Sequence, residues 1–350
     1  MSSISRSINI MNPRRQAAAL FEVLGVYLAG SLVVTLLIRL FPLHPTNPLA
    51  TFSVGITNAE LLRATGQLFV LLLLQYAGFF ALIIPINWWQ GKRGPAAYGL
   101  TRAGRSWLAL LLAGLATGAL VAGPAFSLNL ANGFYHLGDT VPWRQAFFDT
   151  SWQRWQFWLF AAVGSYVVPA VLEELFYRGY CQRRLAEGWG DGAAIIGTSC
   201  LMVAGHSQYL IANAYNVGMI FSVLVIALGL GVVFAWTRSL IPGMVVHAII
   251  NVPLTPLWLG LVLVAVAIGA ALIARRGAAI VREVFKGSKV AGCTGLALAG
   301  VAAAVASARL EALKFVGVAM VLAAIVVEAV EMRKERLSNS RVTEEPLSVS

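Results

Sequence analysis

The sequence predicts an all-α membrane protein, a polytopic bundle of about 8–10 transmembrane helices with both termini in the cytosol. Three observations predict it. Of 350 residues, 59% are hydrophobic and only 12% charged, roughly half the charged share of a soluble domain. The apolar residues come in blocks of about 20, the length that crosses some 30 Å of hydrocarbon. The basic residues gather on alternate sides of those blocks. In lipid every backbone N–H and C=O must pair internally, so long apolar blocks mean helices, and the short alternating segments of a β-barrel are absent.

In chain order, residues 1–16 form a cytosolic N-terminal segment, in which Arg6, Arg14 and Arg15 precede an apolar run too long for the core of a cleaved signal. Spans are expected near 17–38, 67–89, 106–128, 156–177, 193–212, 217–236, 240–252, 257–274, 290–307 and 313–331. Pro253 and Pro256 divide 240–274 into a short span and a full one. Charge favours that division. With ten spans the inside loops and tails hold 19 of the 26 Lys and Arg, whereas an undivided 240–274 would move the basic 275–289 loop outside. The organisation is then N-terminal spans over 17–155, core spans over 156–256, additional spans over 257–332, and a polar cytosolic tail, 333–350, expected to be unstructured. Between the third and fourth spans lies a long outside loop with Trp143, Phe147, Phe148 and Trp152, read as an interfacial helix. The charge distribution puts the basic loops inside, and the expected location is the plasma (inner) membrane.

The net charge of +11 does not point to nucleic acid, because the basic residues sit at span ends without a long run of interleaved aromatics. Cys181, Cys200 and Cys293 lack metal-ligand spacing and read as free, buried thiols.

Ionisable groups inside a bilayer are functional candidates by default. Glu22 and Glu328 lie near span ends and are expected to reach water at the interface. Glu173 and Glu174 sit together in Val-Pro-Ala-Val-Leu-Glu-Glu-Leu-Phe-Tyr-Arg-Gly, near the cytosolic end of the fourth span. Glu174 and Arg178 are four apart with the acid first, the favoured order for a helical ion pair. Glu173 lies about 100° round the helix. One carboxylate is thereby neutralised and the other left for proton transfer, unless both merely lock helices together. His44 and His136 fall in outside loops. His206 is expected in the fifth span, and His247 and Asn251, four apart on one face, in the seventh. Two histidines, an asparagine and two glutamates on three neighbouring spans suit hydrolysis: a carboxylate takes a proton from water, a histidine orients that water, and the remaining groups donate to an oxyanion. A proton-relaying transporter and a non-catalytic scaffold are the competing classes.

At these residues the chain resembles the CAAX protease and bacteriocin-processing family of intramembrane endopeptidases, which includes the type II CAAX prenyl proteases. Glu173, Glu174 and Arg178 match Glu-Glu-x-x-x-Arg, with Gly179 following. His206 matches the second motif, Phe-x-x-x-His, with Met202 in place of the aromatic residue as an apolar filler. His247 and Asn251 match His-x-x-x-Asn/Asp. The resemblance implies an intramembrane endopeptidase of about eight spans. In it Glu173 and His206 act on water, His247 and Asn251 build the oxyanion site, and Glu174 and Arg178 support them. A cofactor-free glutamate mechanism suits these residues better; zinc held by Glu173, His206 and His247 is the alternative, since a zinc site wants three protein ligands. The implied partners are the lipid bilayer and a membrane protein or lipid-modified peptide. A prenylated CAAX tail, a leader peptide and another membrane protein remain alternatives. Signatures of zinc site-2, aspartyl and rhomboid intramembrane proteases are absent.

Overall fold

The computed structural model describes residues 12–40, 56–134, 151–206, 209, 214–252 and 274–343. Nine helices carry the architecture: α1 (Pro13–Leu40), α2 (Asn58–Trp89), α3 (Trp107–Phe134), α4 (Trp155–Trp189), α5 (Asp191–Gly205), α6 (Ala214–Thr237), α7 (Ile241–Ile250), α8 (Val290–Arg309) and α9 (Glu311–Thr343). A further helical stretch covers 274–284, and there is no strand among the described residues. Six helices are long and apolar enough to cross a membrane, namely α1, α2, α4, α6, α8 and α9, with α3, α5 and α7 contributing shorter apolar stretches. The chain is therefore a multi-pass, all-α bundle. Nine of the ten expected spans fall on these helices; the tenth, 257–274, lies outside the described residues but for its last position. So do His44, His136, most of the interfacial loop and the last seven residues.

Local chemistry sets the ends. Thr57 caps α2 with a reciprocal capping box: its hydroxyl accepts from Glu60 N–H while the Glu60 carboxylate accepts from Thr57 N–H. Gly190, at φ 78°, turns α4 into α5. The end of α7 at Ile250 comes just ahead of Pro253, as expected. Pro85 and Pro124 lie inside α2 and α3 without ending them, which membrane helices tolerate.

Three expectations need correction. The fourth span does not stop near 177: α4 runs to Trp189, because Arg184 is buried against partners on other helices and does not mark a membrane edge. Glu173 and Glu174 therefore lie in mid-helix. The fifth span does not contain His206, which follows α5 as its C-terminal cap. The tail is helical as far as Thr343, where Glu, Arg, Lys and Leu over 331–337 favour continuation.

The packing interlocks through glycines. A Cβ on Gly25 of α1 would lie 2.9 Å from the Gly317 carbonyl of α9, and one on Gly300 of α8 would lie 2.9 Å from the Gly197 carbonyl of α5. Such close backbone approach is how membrane helices gain dispersion contact without a hydrophobic drive between them. The core between α1, α2 and α4 is aromatic: Tyr27, Tyr76, Phe79, Phe176 and Tyr177 meet at ring separations of 4.5–6.5 Å.

Candidate active site

The site is built on α4, and α4 is not a regular α-helix. Two π-helical stretches, Ala162–Tyr166 and Glu174–Gln182, bracket the α-helical turn Val168–Glu173. Such widened turns recur at functional positions because they re-aim side chains. Pro169 explains part of the first irregularity. It has no N–H to give to the Ser165 carbonyl four residues back. Asn251, just past α7, fills the gap: its Nδ2 donates to the Ser165 carbonyl at 3.2 Å, and Ser165 Oγ returns a bond to the Asn251 carbonyl at 2.9 Å. Asn251 is thus fixed by the residue that breaks the helix, and its amide retains a second N–H.

Glu174 is the buried centre, 0% exposed, beside Arg178 at 1%. Arg178 Nη1 donates to Glu174 Oε1 at 3.0 Å, and Nη2 to the Ala227 carbonyl of α6 at 3.0 Å. The same Nη1 lies 3.0 Å from the Met202 sulfur. Met202, expected as an apolar filler, therefore also serves as a soft acceptor for the guanidinium. Gly179 lets the helix approach the 95–100 loop, since a Cβ there would come within 2.7 Å of the Tyr98 carbonyl. Leu240 N–H donates to the Gly99 carbonyl at 2.9 Å, which seats the start of α7 against that loop.

So positioned, α7 carries His247 to the glutamates. Its Nδ1 lies 3.0 Å from Glu174 Oε1. Since that partner is a carboxylate, Nδ1 carries the hydrogen, leaving Nε2 to face Glu173 Oε2 at 3.9 Å. Glu173 differs from its neighbour. Its side chain is 16% exposed, and Oε2 is buried without a hydrogen-bond partner. A separation of 3.9 Å is too long for a direct bond, but a water about 2.8 Å from each atom would sit over the gap. The two carboxylates thus have the different environments expected of them: one is neutralised by Arg178, the other unpartnered and partly open.

His206 is held separately. Its Nδ1 lies 2.8 Å from the Met202 carbonyl and so carries the hydrogen, and its ring stacks near Tyr209. Nε2 is left as an acceptor. The α4–Gly190–α5 hairpin sets its depth: Glu173 and His206 are 17 and 16 residues from Gly190, both on the order of 20–25 Å along their helices. By this count the two residues stand at similar distances from the turn that joins their helices.

The donor set does not fit the zinc alternative. Among the described residues no three His, Cys, Asp or Glu side chains converge as a metal-holding group. Glu173 and His247 approach one another, and His206 is not gathered with them, so no chemical step is derived through a metal.

Sequence reasoning placed Glu22 and Glu328 at the interface, and for Glu22 this is wrong. Glu22 is 1% exposed. Arg184 sits among three carboxylates, Glu22 and Glu328 at 3.0 Å and Glu187 at 2.7 Å. Gln90 and Tyr180 also donate to Glu22. The available signal was an acidic residue in an apolar block, which demands a cation on another helix.

These features define a polytopic membrane protein with a buried glutamate–histidine cluster between α4 and α7 and a second histidine at the end of α5. Residues 154–253 match the family model described as type II CAAX prenyl endopeptidase Rce1-like. That stretch is similar to this family, and it contains all the residues singled out from the motifs. No curated protein and no solved structure gives a match.

Proposed function

We propose that the chain is an intramembrane endopeptidase that hydrolyses a peptide bond in a membrane-associated or lipid-modified, CAAX-type substrate without a cofactor, from the plasma membrane. The observation that carries this reading is the buried Arg178–Glu174–His247 chain ending at the unpartnered Glu173 Oε2. Arg178 pairs with Glu174; Glu174 fixes the His247 ring; the ring confronts Glu173 across a gap suited to water. Glu173 takes a proton from that water as its oxygen attacks the substrate carbonyl, and returns it to the departing amine as the C–N bond breaks. His206 Nε2, an acceptor at a similar distance from the Gly190 turn, orients the water from the side of α5. The spare Asn251 N–H, with His247 when its Nε2 is protonated, donates to the tetrahedral oxyanion.

The test compares membrane peptide termini from cells expressing the native chain or Glu173→Gln at matched abundance. Defined products seen only with the native chain, and persisting in the presence of a zinc chelator, support the reading and identify the substrate. Identical profiles from two folded proteins refute catalysis by Glu173 and leave a scaffold. Cleavage lost to chelation and restored by zinc refutes the metal-free mechanism.

A further inference from the structure

Beside Glu173, on the face of α4 that meets α1 and α2, lie three tyrosines: Tyr27, Tyr76 and Tyr177. Tyr177 is 8% exposed and Tyr76 6%, yet neither phenol hydroxyl has a hydrogen-bond partner among the described residues. A hydroxyl that bonds to nothing in the surrounding apolar bundle is rarely retained without a use. Phenylalanine would fill the same space. The rings themselves are well packed, Tyr177 edge-on to Phe176 at 4.9 Å and Tyr76 to Phe176 at 6.5 Å. Packing therefore explains the rings and not the oxygens.

The Tyr177 oxygen is placed by two observations. Tyr177 lies four residues beyond Glu173 on α4 and within reach of its charge. Its hydroxyl also abuts the end of α5, together with that of Tyr27: a Cβ on Gly205 would stand 2.9 Å from Tyr177 Oη and 3.0 Å from Tyr27 Oη, and of the two only Tyr177 shares a helix with Glu173. Gly205 immediately precedes His206. The hydroxyl thus lies beside the His206 turn and is carried by the same helix as Glu173, near where an attacked carbonyl would sit if these two groups share one water. A phenol O–H is a donor at neutral pH, and a donor without a protein acceptor is available to a substrate oxygen.

We propose that Tyr177 is a further catalytic residue, its hydroxyl donating a hydrogen bond to the carbonyl oxygen of the scissile peptide as that oxygen becomes an oxyanion. The proposal rests on the endopeptidase reading. No covalent step is added, because the phenol keeps its proton throughout. The missing side chain at Gly205 leaves room for the hydroxyl beside the His206 turn. Tyr177 complements Asn251, whose amide has one N–H committed to Ser165. Position 177 is one of the unspecified positions of Glu-Glu-x-x-x-Arg, so the motif alone gives no reason to single it out.

The experiment uses the purified full chain in detergent micelles with an internally quenched peptide bearing a farnesylated CAAX end, or the cleavage-site peptide that the termini comparison identifies. Native chain, Tyr177→Phe and Glu173→Gln are compared for kcat, KM and thermal melting. The expected result is a fall in kcat of about 10²-fold for Tyr177→Phe, with KM within about threefold and melting unchanged or slightly higher. A kcat within about threefold of native overturns the proposal. So does an effect confined to KM, which makes the hydroxyl a uniform binding contact. A clear drop in melting temperature also overturns it, because it shows that the hydroxyl has a structural partner. If the native chain and Glu173→Gln are equally inactive on the peptide, the endopeptidase reading fails for that substrate class and takes this role with it. An active native chain beside an unaffected Tyr177→Phe defeats this inference alone.

Discussion

Replacing Arg178 by Met tests whether the guanidinium exists to compensate the Glu174 carboxylate in a dry site. Methionine keeps an unbranched stem of similar length and removes three contacts: Glu174 Oε1, the Met202 sulfur and the Ala227 carbonyl, each at 3.0 Å. The largest loss is electrostatic. Glu174 is 0% exposed, and without Arg178 its ionised form would retain only His247 Nδ1. Breaking a buried pair by removing one member costs about 3–5 kcal/mol. His247 can take up a proton and offset part of that, so the expected loss is about 3 kcal/mol. At about 2–4 °C per kcal/mol, the melting temperature should fall on the order of 6–12 °C. Adding Glu174→Gln should recover at least half of the loss. It removes the orphaned charge and still offers His247 an acceptor, and replacing both members of a buried pair is often close to neutral. Tryptophan fluorescence against temperature, on purified protein in one detergent, gives the four corners of the cycle. A double variant that melts as low as Arg178→Met, or lower, refutes the reasoning, because the damage then comes from lost packing and not from an uncompensated carboxylate.

Two further substitutions probe the same helices. Gly243→Ala puts a Cβ 2.9 Å from Glu174 Oε2, on a carboxylate already pinned at its other oxygen. It should destabilise by about 1–3 kcal/mol and abolish cleavage, while Gly66→Ala, with no atom within 4 Å, should melt at or slightly above native; equal effects in one thermal-melt series would show that close approach is not the cause. Arg184→Lys should lose about 1–3 kcal/mol, because its Nε, Nη1 and Nη2 each serve a different carboxylate and a single ammonium cannot span all three; a native melting curve for this variant contradicts that account.

What the sequence made legible follows from the range of each interaction. The spans were legible because hydropathy is local and the bilayer fixes its length scale. The Glu174–Arg178 pair was legible from a spacing of four. That His247 turns Nδ1 to Glu174 and Nε2 to Glu173 was not, since it depends on how deeply the short α7 is seated by the contact between Leu240 and Gly99. The length of α4 was misread for a related reason. Arg183 and Arg184 look like a membrane edge, but the carboxylates that bury Arg184 come partly from α1 and α9, far away in sequence. Asn251 lies between these cases. Pro169 announces an unpaired Ser165 carbonyl, and only the fold shows which side chain satisfies it.

The same long-range pairing bears on the helices outside the stretch matched to the protease family. Residues 154–253 include Arg184 and Glu187 but not Glu22 or Glu328. Isolated, that stretch would hold a buried guanidinium against a single half-exposed carboxylate. It would also leave the small-residue face of α5, which meets α8 at Gly197, open to lipid. Buried charge is tolerated when it is paired, so α1 and α9 complete the electrostatics of α4, the helix that carries Glu173. Meanwhile α8 packs along α5, the helix that delivers His206. The two sides of the proposed cavity are therefore braced by different C-terminal helices, α9 acting through Glu328 and Arg184, and α8 through the Gly300–Gly197 contact. On this argument the C-terminal helices are part of what holds the glutamate and histidine in place, rather than an appendage to a self-sufficient domain.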